Sequence, residues 1–329
     1  MSEKYIPLYK VSGKAMNMIA DIAAAVERYR ILLEGPDGVR LRKINHVRTI
    51  RGTTAIEGNT LTEDQITAIL SGKRVVGSKR EIDEIKGAHE AYEAIESFNP
   101  YSIDDMLKAH GLLTKGLVDS PGKFRNCNVG VMDGFGNVVH MAPPFANVPT
   151  LVKDLFEWLA DSEDPVLIKS CVFHYEFEFI HPFPDGNGRT GRLWQTALLG
   201  SWRNEFYGVP VENIVWAHQQ EYYQAIRASA NPRGCGPFID FMLDKILRAL
   251  KAKGEAYNAT IKKSSQKSSQ KSSQKILSAM KSMPDITMAE LANATGLSMA
   301  GVKKNIRKLK DANLIRRIGP DKGGHWEVV

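Results

Sequence analysis

The stretch "HPFPDGNGRTGR", residues 181–192, has glycines at 186, 188 and 191 and so fits the G-x-G-x-x-G spacing of a dinucleotide-binding turn. That spacing marks a cofactor cradle only where a strand leads into it within a βαβ unit. Here the approach is helical. Val166, Ser170, Phe173, Phe177 and Ile180 recur at i, i+4, i+7, i+11 and i+14, one buried helix face that Pro165 can start as its first residue. Pro182 and Pro184 then interrupt the chain before the glycines arrive. No G-x-x-x-x-G-K-[ST] occurs, which removes the other common phosphate loop.

The residues among the glycines carry more information than the glycines do. Asp185-Gly186-Asn187-Gly188 reads as a tight turn opening a helix near Arg189, and a helix N-terminus with accessible N–H groups favours an anion. Arg189 and Arg192, three apart, share a helix face and can grip a polyphosphate. Asp185 offers a hard oxygen to Mg²⁺, and His181 is the side chain suited to proton transfer near neutral pH. Together these residues suggest a nucleotide-transfer site.

Working outward, amphipathic helical patterns recur at 14–33, 40–56, 81–97, 150–160, 192–204 and 237–250. The strand signal is "NVGVMDGFGNVVHM", residues 128–141, two β-rich runs around a turn at Asp133 to Asn137. No βαβ alternation appears, so the expected fold is mainly α with one hairpin. Hydrophobic residues make up 43% and charged residues 25%, as in an ordinary globular protein, and no apolar run is long enough to span a membrane. With no secretory signal pattern at the N-terminus, a cytoplasmic location is expected. Cys127, Cys171 and Cys235 stand singly, which argues against a disulfide framework or a cysteine zinc site.

The net charge of +7 is uneven: from Lys262 onward there are 14 Lys/Arg against 5 Asp/Glu, and the remainder is nearly balanced. "KSSQKSSQKSSQK", residues 263–275, repeats Ser-Ser-Gln-Lys without an apolar residue and predicts a flexible linker between two units.

Residues 181–192 resemble the signature of the Fic family, H-P-F-x-[D/E]-G-N-G-R-x-x-R, at every specified position. The resemblance implies a small helical bundle with a β-hairpin flap beside the active site, and transfer of AMP from ATP to a Ser, Thr or Tyr hydroxyl of a protein. By residue, it implies His181 as the base and Asp185 as the Mg²⁺ ligand. Gly186, Asn187 and Gly188 would bind phosphate oxygens, with Arg189 adding charge and Arg192 contacting the γ-phosphate. "TTAIEGN", residues 53–59, is similar to the family's inhibitory motif, [S/T]-x-x-x-E-[G/N]. Gly58-Asn59 reads as a helix C-cap, and Thr62 with Gln65 as the capping box of the next helix. Glu57 then stands at the negative end of a helix, where a carboxylate needs a cation nearby. The resemblance supplies one: Arg192, whose pairing with Glu57 would block productive γ-phosphate binding.

The flap implied by the resemblance has edges Asn128, Val129, Gly130 and Val131, and Val138, Val139, His140 and Met141, which would clamp a target segment by strand addition. "EYYQAI", 221–226, followed by Asn231, is similar to the adenine-contacting region, with Tyr223 packing on the base and Asn231 bonding its amino group; a purely core role for the tyrosines stays open. From Ile276 the chain resembles a winged helix-turn-helix, a tail often found on bacterial members. Thr287 and Glu290 form a capping box, Ser298 caps a third helix bearing Lys303, Lys304, Arg307, Lys308 and Lys310, and two strands follow.

The expected division is an N-terminal helical region with the inhibitory helix at 1–100, a catalytic core at 101–257, the linker at 258–275 and the winged helix at 276–329. ATP and Mg²⁺ are the expected substrate and ion. The expected partners are a target protein docked by its hydroxyl on the flap, the protein itself through self-modification, a DNA or protein bound by the tail, and a second copy in a homodimer. Alternatives left open are a DNA-binding regulator with a nucleotide-sensing core, removal of AMP from a modified protein, and transfer of another phosphate-linked group.

Overall fold

Helical periodicity dominates the sequence, and caps at the expected places divide it into separate helices. The computed structural model describes residues 5–132, 138–230, 234–320 and 323–329. The helices are α1 (Gly13–Glu34), α2 (Gly38–Ala55), α3 (Glu63–Leu70), α4 (Lys79–Glu93) and α5 (Ile103–Leu113). After the hairpin come α6 (Val148–Asp161), α7 (Val166–Ile180), α8 (Asn187–Trp202), α9 (Val211–Ala217), α10 (Gln219–Ser229) and α11 (Gly236–Ser282). Capping boxes open α3 at Thr62 and α4 at Ser78, each satisfying helix N–H groups that would otherwise lack acceptors. Pro165 stands at the N-cap of α7 rather than inside its first turn. α8 starts at Asn187, two residues ahead of the expected Arg189, because Gly186 takes the left-handed turn (φ 84°) that lets the helix begin at once.

The chain forms two compact units, residues 1–254 and 255–329. Residues from Ala15 to Leu250 share one hydrophobic core, so the N-terminal helices and the motif-bearing helices bury the same surface. At its centre α7 packs on α8, with Phe173, Phe177, Phe183, Leu193 and Trp194 fully buried. The helix pair thus fixes the loop between them, residues 181–186, to the most tightly packed part of the unit. The hairpin pairs β1 (Gly130–Met132) antiparallel with β2 (Val138–Met141), Gly130 opposite Met141 and Val131 opposite His140, with an irregularity before Met132. Asn128 and Val129 precede β1 instead of belonging to it. The expected turn at 133–137 lies outside the described residues.

The expected linker, residues 258–275, separates Leu250, the last core residue of the first unit, from Ile276, the first of the second. The backbone of residues 258–275 is helical, within the 47-residue α11. Initiating a helix is the costly step, and α11 has already initiated on the apolar residues at its start; each added Ser, Gln or Lys then needs to cost little. The second unit has the expected winged-helix order: the end of α11, α12 (Met288–Thr295), α13 (Met299–Asp311), β3 (Ile315–Ile318) and β4 (His325–Val328). Ile276, Met280, Leu291, Val302, Ile306, Leu309 and Trp326 are among its core residues. Thr287–Glu290 and Ser298 cap α12 and α13 as the sequence indicated.

Among the described residues no helix is long and apolar enough to cross a membrane.

Candidate active site

His181 ends α7 and adopts a left-handed backbone (φ 51°, ψ 60°), a conformation unusual for a residue with a Cβ. Pro182 disfavours a helical conformation at His181, and the chain turns sharply there. Strain of this kind persists only where surrounding contacts impose it. They do. His181 N–H donates to Phe177 O (2.9 Å), and Arg125, almost fully buried, reaches the loop from outside α7. Arg125 Nε donates to His181 O (2.8 Å), Nη2 to Ile180 O (3.4 Å) and Pro143 O, and Nη1 to Cys127 O (2.9 Å); its backbone N–H donates to Pro182 O (2.9 Å). One guanidinium therefore joins the catalytic loop to both roots of the hairpin, since Cys127 precedes β1 and Pro143 follows β2.

Three further contacts complete the loop. Asn187 closes it on Phe183: its Oδ1 accepts from Phe183 N–H and its Nδ2 donates to Phe183 O, both at 2.8 Å. The amide expected on a phosphate oxygen is thus committed to the loop itself. His110 of α5 stacks on Phe183 with ring centroids 3.6 Å apart and planes 9° off parallel. Its Nδ1 accepts from Gly122 N–H (2.9 Å), so the ring proton is on Nε2, which donates to Asp185 O (3.0 Å). Burial lowers the His110 pKa to about 4 and keeps the ring neutral. Gly186 admits no side chain: a Cβ would lie 2.6 Å from Thr114 Cγ2.

His181 itself is partly buried, and burial lowers its pKa against the opposing pull of Glu178 and Glu57. Its Nδ1 faces Glu178 O at 3.3 Å, and a carbonyl can only accept. The proton accordingly sits on Nδ1, which leaves the Nε2 lone pair for a substrate.

The two motif arginines have different partners. Arg189, buried, is paired on one side with Glu84 of α4 (2.7 Å) and on the other with Asp185 (3.0 Å). Burial pushes the Glu84 carboxyl up, while Arg189 and the amide of Asn59 pull it down. Asp185 also accepts from the Gly186 N–H (2.6 Å) and from the exposed Arg80 (3.0 Å). Burial would raise its pKa, but Arg189, the Gly186 N–H and Arg80 together hold it below the usual value, so the carboxylate stays ionised.

Arg192, equally buried, turns to the end of α2. Its Nη2 donates to Glu57 Oε1 (2.7 Å) and Thr53 O (2.9 Å), and its Nε to Thr53 Oγ1 (3.2 Å). Burial opposes its charge, but Glu57 raises its pKa overall. α2 caps at Ile56 rather than at Gly58; Gly58 takes a left-handed turn two residues on (φ 95°), and Asn59 behind it bonds Glu84 (2.9 Å). The Glu57 carboxylate lies over the first turn of α8: a Cβ on Gly188 would meet Glu57 Oε1 at 2.6 Å and Arg192 Nη1 at 2.8 Å. A negative group therefore stands at a helix N-terminus beside an arginine, the position a phosphate would favour.

Tyr222 belongs to the core, with its hydroxyl 3.2 Å from His174 Nε2. Tyr223 is partly buried; Gln219 donates to its hydroxyl (3.4 Å) and to Ile56 O at the end of α2 (2.9 Å). Asn231 lies outside the described residues. Of the hairpin residues, Met141 is exposed and Asn128 Oδ1 accepts from Phe145 N–H (3.0 Å).

Arg125, His110 and Glu84 are site residues that the sequence reading passed over. Arg125 does sit in a Gly- and Pro-rich loop just ahead of the hairpin, where a lone arginine is a usable signal.

Comparison with known proteins places this geometry. Residues 100–199 match the Fic/DOC family, and residues 270–316 match a winged helix-turn-helix DNA-binding family. A crystal structure of a Fic family protein from Desulfovibrio desulfuricans is 37% identical, with a TM-score of 0.74, over 99% of this chain and 98% of that one. Fic-1 from Caenorhabditis elegans is 25% identical, with a TM-score of 0.62, over 75% of this chain and 73% of that one. A protein adenylyltransferase Fic from Nematostella vectensis is 31% identical over 62% of this chain and 47% of its own length. Protein adenylyltransferase fic-1 from C. elegans is 30% identical over 69% of this chain and 44% of its own length. The chain spans about half the length of these curated relatives or slightly less.

Proposed function

The chain belongs to the Fic family, and from that premise we propose that it transfers AMP from ATP to a hydroxyl of a protein, itself included, and is held in a low-activity state by Glu57. The observation that carries this reading is the Glu57 carboxylate, bonded to Arg192 at 2.7 Å and lying over Gly188 at the N-terminus of α8. A carboxylate there has the charge and partners of a phosphate.

With Glu57 withdrawn, the first N–H groups of α8 and the Arg192 guanidinium receive the polyphosphate. Arg189 adds positive charge from its buried position. His181 Nε2 takes the proton of the target hydroxyl as that oxygen bonds the α-phosphorus. The bond from the α-phosphorus to its bridging oxygen breaks, and pyrophosphate leaves. A neutral imidazole with its proton fixed on Nδ1 suits this role. The donor set also fits Mg²⁺, which binds one or two carboxylates together with substrate phosphates: Asp185 is ionised and partly exposed beside the helix start. Held by Asp185, the ion would neutralise charge on the phosphates. The hairpin offers a strand edge on which an extended target segment could lie, and Arg125 fixes its roots relative to His181. Tyr223, next to the end of α2, is the candidate for packing on the adenine.

His181→Ala tests the reading. With ATP labelled on the α-phosphate, it should cut incorporation by 10²–10⁴-fold in the Glu57→Gly background, at roughly the worth of a general base. Undiminished labelling would reject it.

A second activity is proposed for the tail. Lys303, Lys304 and Arg307 are exposed on α13, the second helix of the helix-turn-helix, and suit phosphate contacts on duplex DNA. Binding that weakens steeply with salt supports this; no binding at low salt rejects it.

A further inference from the structure

α2 and α4 pack against each other, and apart from Glu57 and Glu84, which they bring to the motif, they present a second set of chemically capable side chains. His46 of α2 points its Nε2 at Nδ1 of His89 on α4, 2.8 Å away. Glu93, one turn beyond His89 on α4, brings Oε1 to 3.4 Å from the same His46 nitrogen. One donor atom from each of the three residues lies within 4.8 Å of the other two, and no other such cluster occurs among the described residues. The two imidazole rings are inclined at 73°, so their lone pairs converge without stacking.

The geometry points to a binding site for a divalent transition metal of the Zn²⁺ class, held by His46, His89 and Glu93. Two ring nitrogens 2.8 Å apart can share one proton; a cation in place of that proton takes both lone pairs. Tetrahedral bonds of about 2.1 Å put neighbouring donors roughly 3.4 Å apart. Glu93 Oε1 is already at that spacing from His46 Nε2. The histidine pair must open by about 0.6 Å, a shift within reach of side-chain torsions. Two imidazoles and a carboxylate select a borderline ion over Mg²⁺ or Ca²⁺, which prefer oxygen alone. The three residues line a cavity of about 890 Å³, which leaves a fourth position open to water. His89 and Glu93 at i, i+4 already share one face of a rigid helix, so His46 is the ligand that closes the site from another element. A bound ion would therefore cross-link α2 to α4.

The test uses the full chain, stripped of metal with a chelator, and titrates it with Zn²⁺ against a chromophoric competitor, then with Co²⁺ followed by visible absorption. The expected result is one tight equivalent, a Co²⁺ spectrum of four-coordinate intensity, and a raised melting temperature. His89→Gln and Glu93→Gln, the latter at an exposed side chain, should each weaken Zn²⁺ binding by 10-fold or more, and His46→Ala with His89→Gln should abolish the site. His181→Ala should retain it, which separates this site from metal captured at the motif. Millimolar Mg²⁺ should not compete. Equal Zn²⁺ binding by the wild type and the double variant would overturn the proposal, as would loss of the tight equivalent in His181→Ala. Absence of any stoichiometric site would leave the pair as a plain histidine–histidine hydrogen bond.

Discussion

Two segments meet at the start of α8, the loop from Ile180 to Gly186 and the end of α2 from Thr53 to Asn59, and they are secured in opposite ways. The loop is gripped from several sides by buried groups: Arg125 on three of its carbonyls, His110 against Phe183, and Asn187 across Phe183. Its strained His181 has no freedom to relax. The Glu57 carboxylate at the end of α2 is tied to the site by its pair with Arg192, and its side chain remains 32% exposed. A partly exposed ion pair is worth little once water can reach it. The comparison teaches that the His181 backbone is held on several sides, whereas the Glu57 carboxylate rests on one partly exposed pair, as the proposed base and the proposed inhibitory group would require. Under the proposed mechanism Arg192 exchanges Glu57 for a phosphate while the loop keeps its shape.

The largest effect should come from breaking the loop's restraint. Arg125→Ala leaves four carbonyls, of Ile180, His181, Cys127 and Pro143, without their donor and should cost about 4 kcal/mol, read as a lower urea midpoint. Arg125→Lys keeps the charge but not the fork, so it should fold yet transfer AMP about 10-fold more slowly. Unchanged transfer in Arg125→Lys would mean that the loop holds its shape without this arginine.

A smaller effect should come from acid acting on the same restraint. In the unfolded chain His110 takes up a proton near its ordinary 6.5, whereas the folded protein refuses it until about pH 4. Its folded pKa is depressed, so the unfolded state binds more protons between those values, and stability falls as pH drops through that window. The loss should approach about 3 kcal/mol, and His181 and His46, also lowered by burial, act in the same direction. Urea midpoints at pH 7 and pH 4.5 check this. His110→Gln should flatten the slope.

Much of this site was legible because it is local. His181 at a helix end, Gly186 and Gly58 at left-handed turns and the Thr62–Gln65 box all follow from residues within a turn or two. The restraint on the loop was not legible. Arg125 lies 56 residues from His181, and Glu84 lies 105 from Arg189. The loop around Arg125 hints at a role for that arginine, but nothing in "GKFRN" or "REIDEIK" names the distant partner. His110, flanked by the buried Met106, Ala109 and Leu113, lies in a helix that the sequence reading did not single out, and a histidine on such an apolar face needs a partner. Asn187, implied by the motif to bind phosphate, also spans the loop through its short amide, a contact that its position alone did not announce. The helical backbone at 263–275 was not legible either, because composition reports what a segment would do alone, and here the backbone continues a helix already formed.

The central claim is that Glu57 stands where phosphate must go. The direct measurement is self-incorporation of AMP from ATP labelled on the α-phosphate, by the wild type and by Glu57→Gly at equal protein and Mg²⁺ concentrations. The account predicts at least a 10-fold rise in Glu57→Gly, abolished by adding His181→Ala. Equal incorporation by wild type and Glu57→Gly, both above the His181→Ala level, would contradict it.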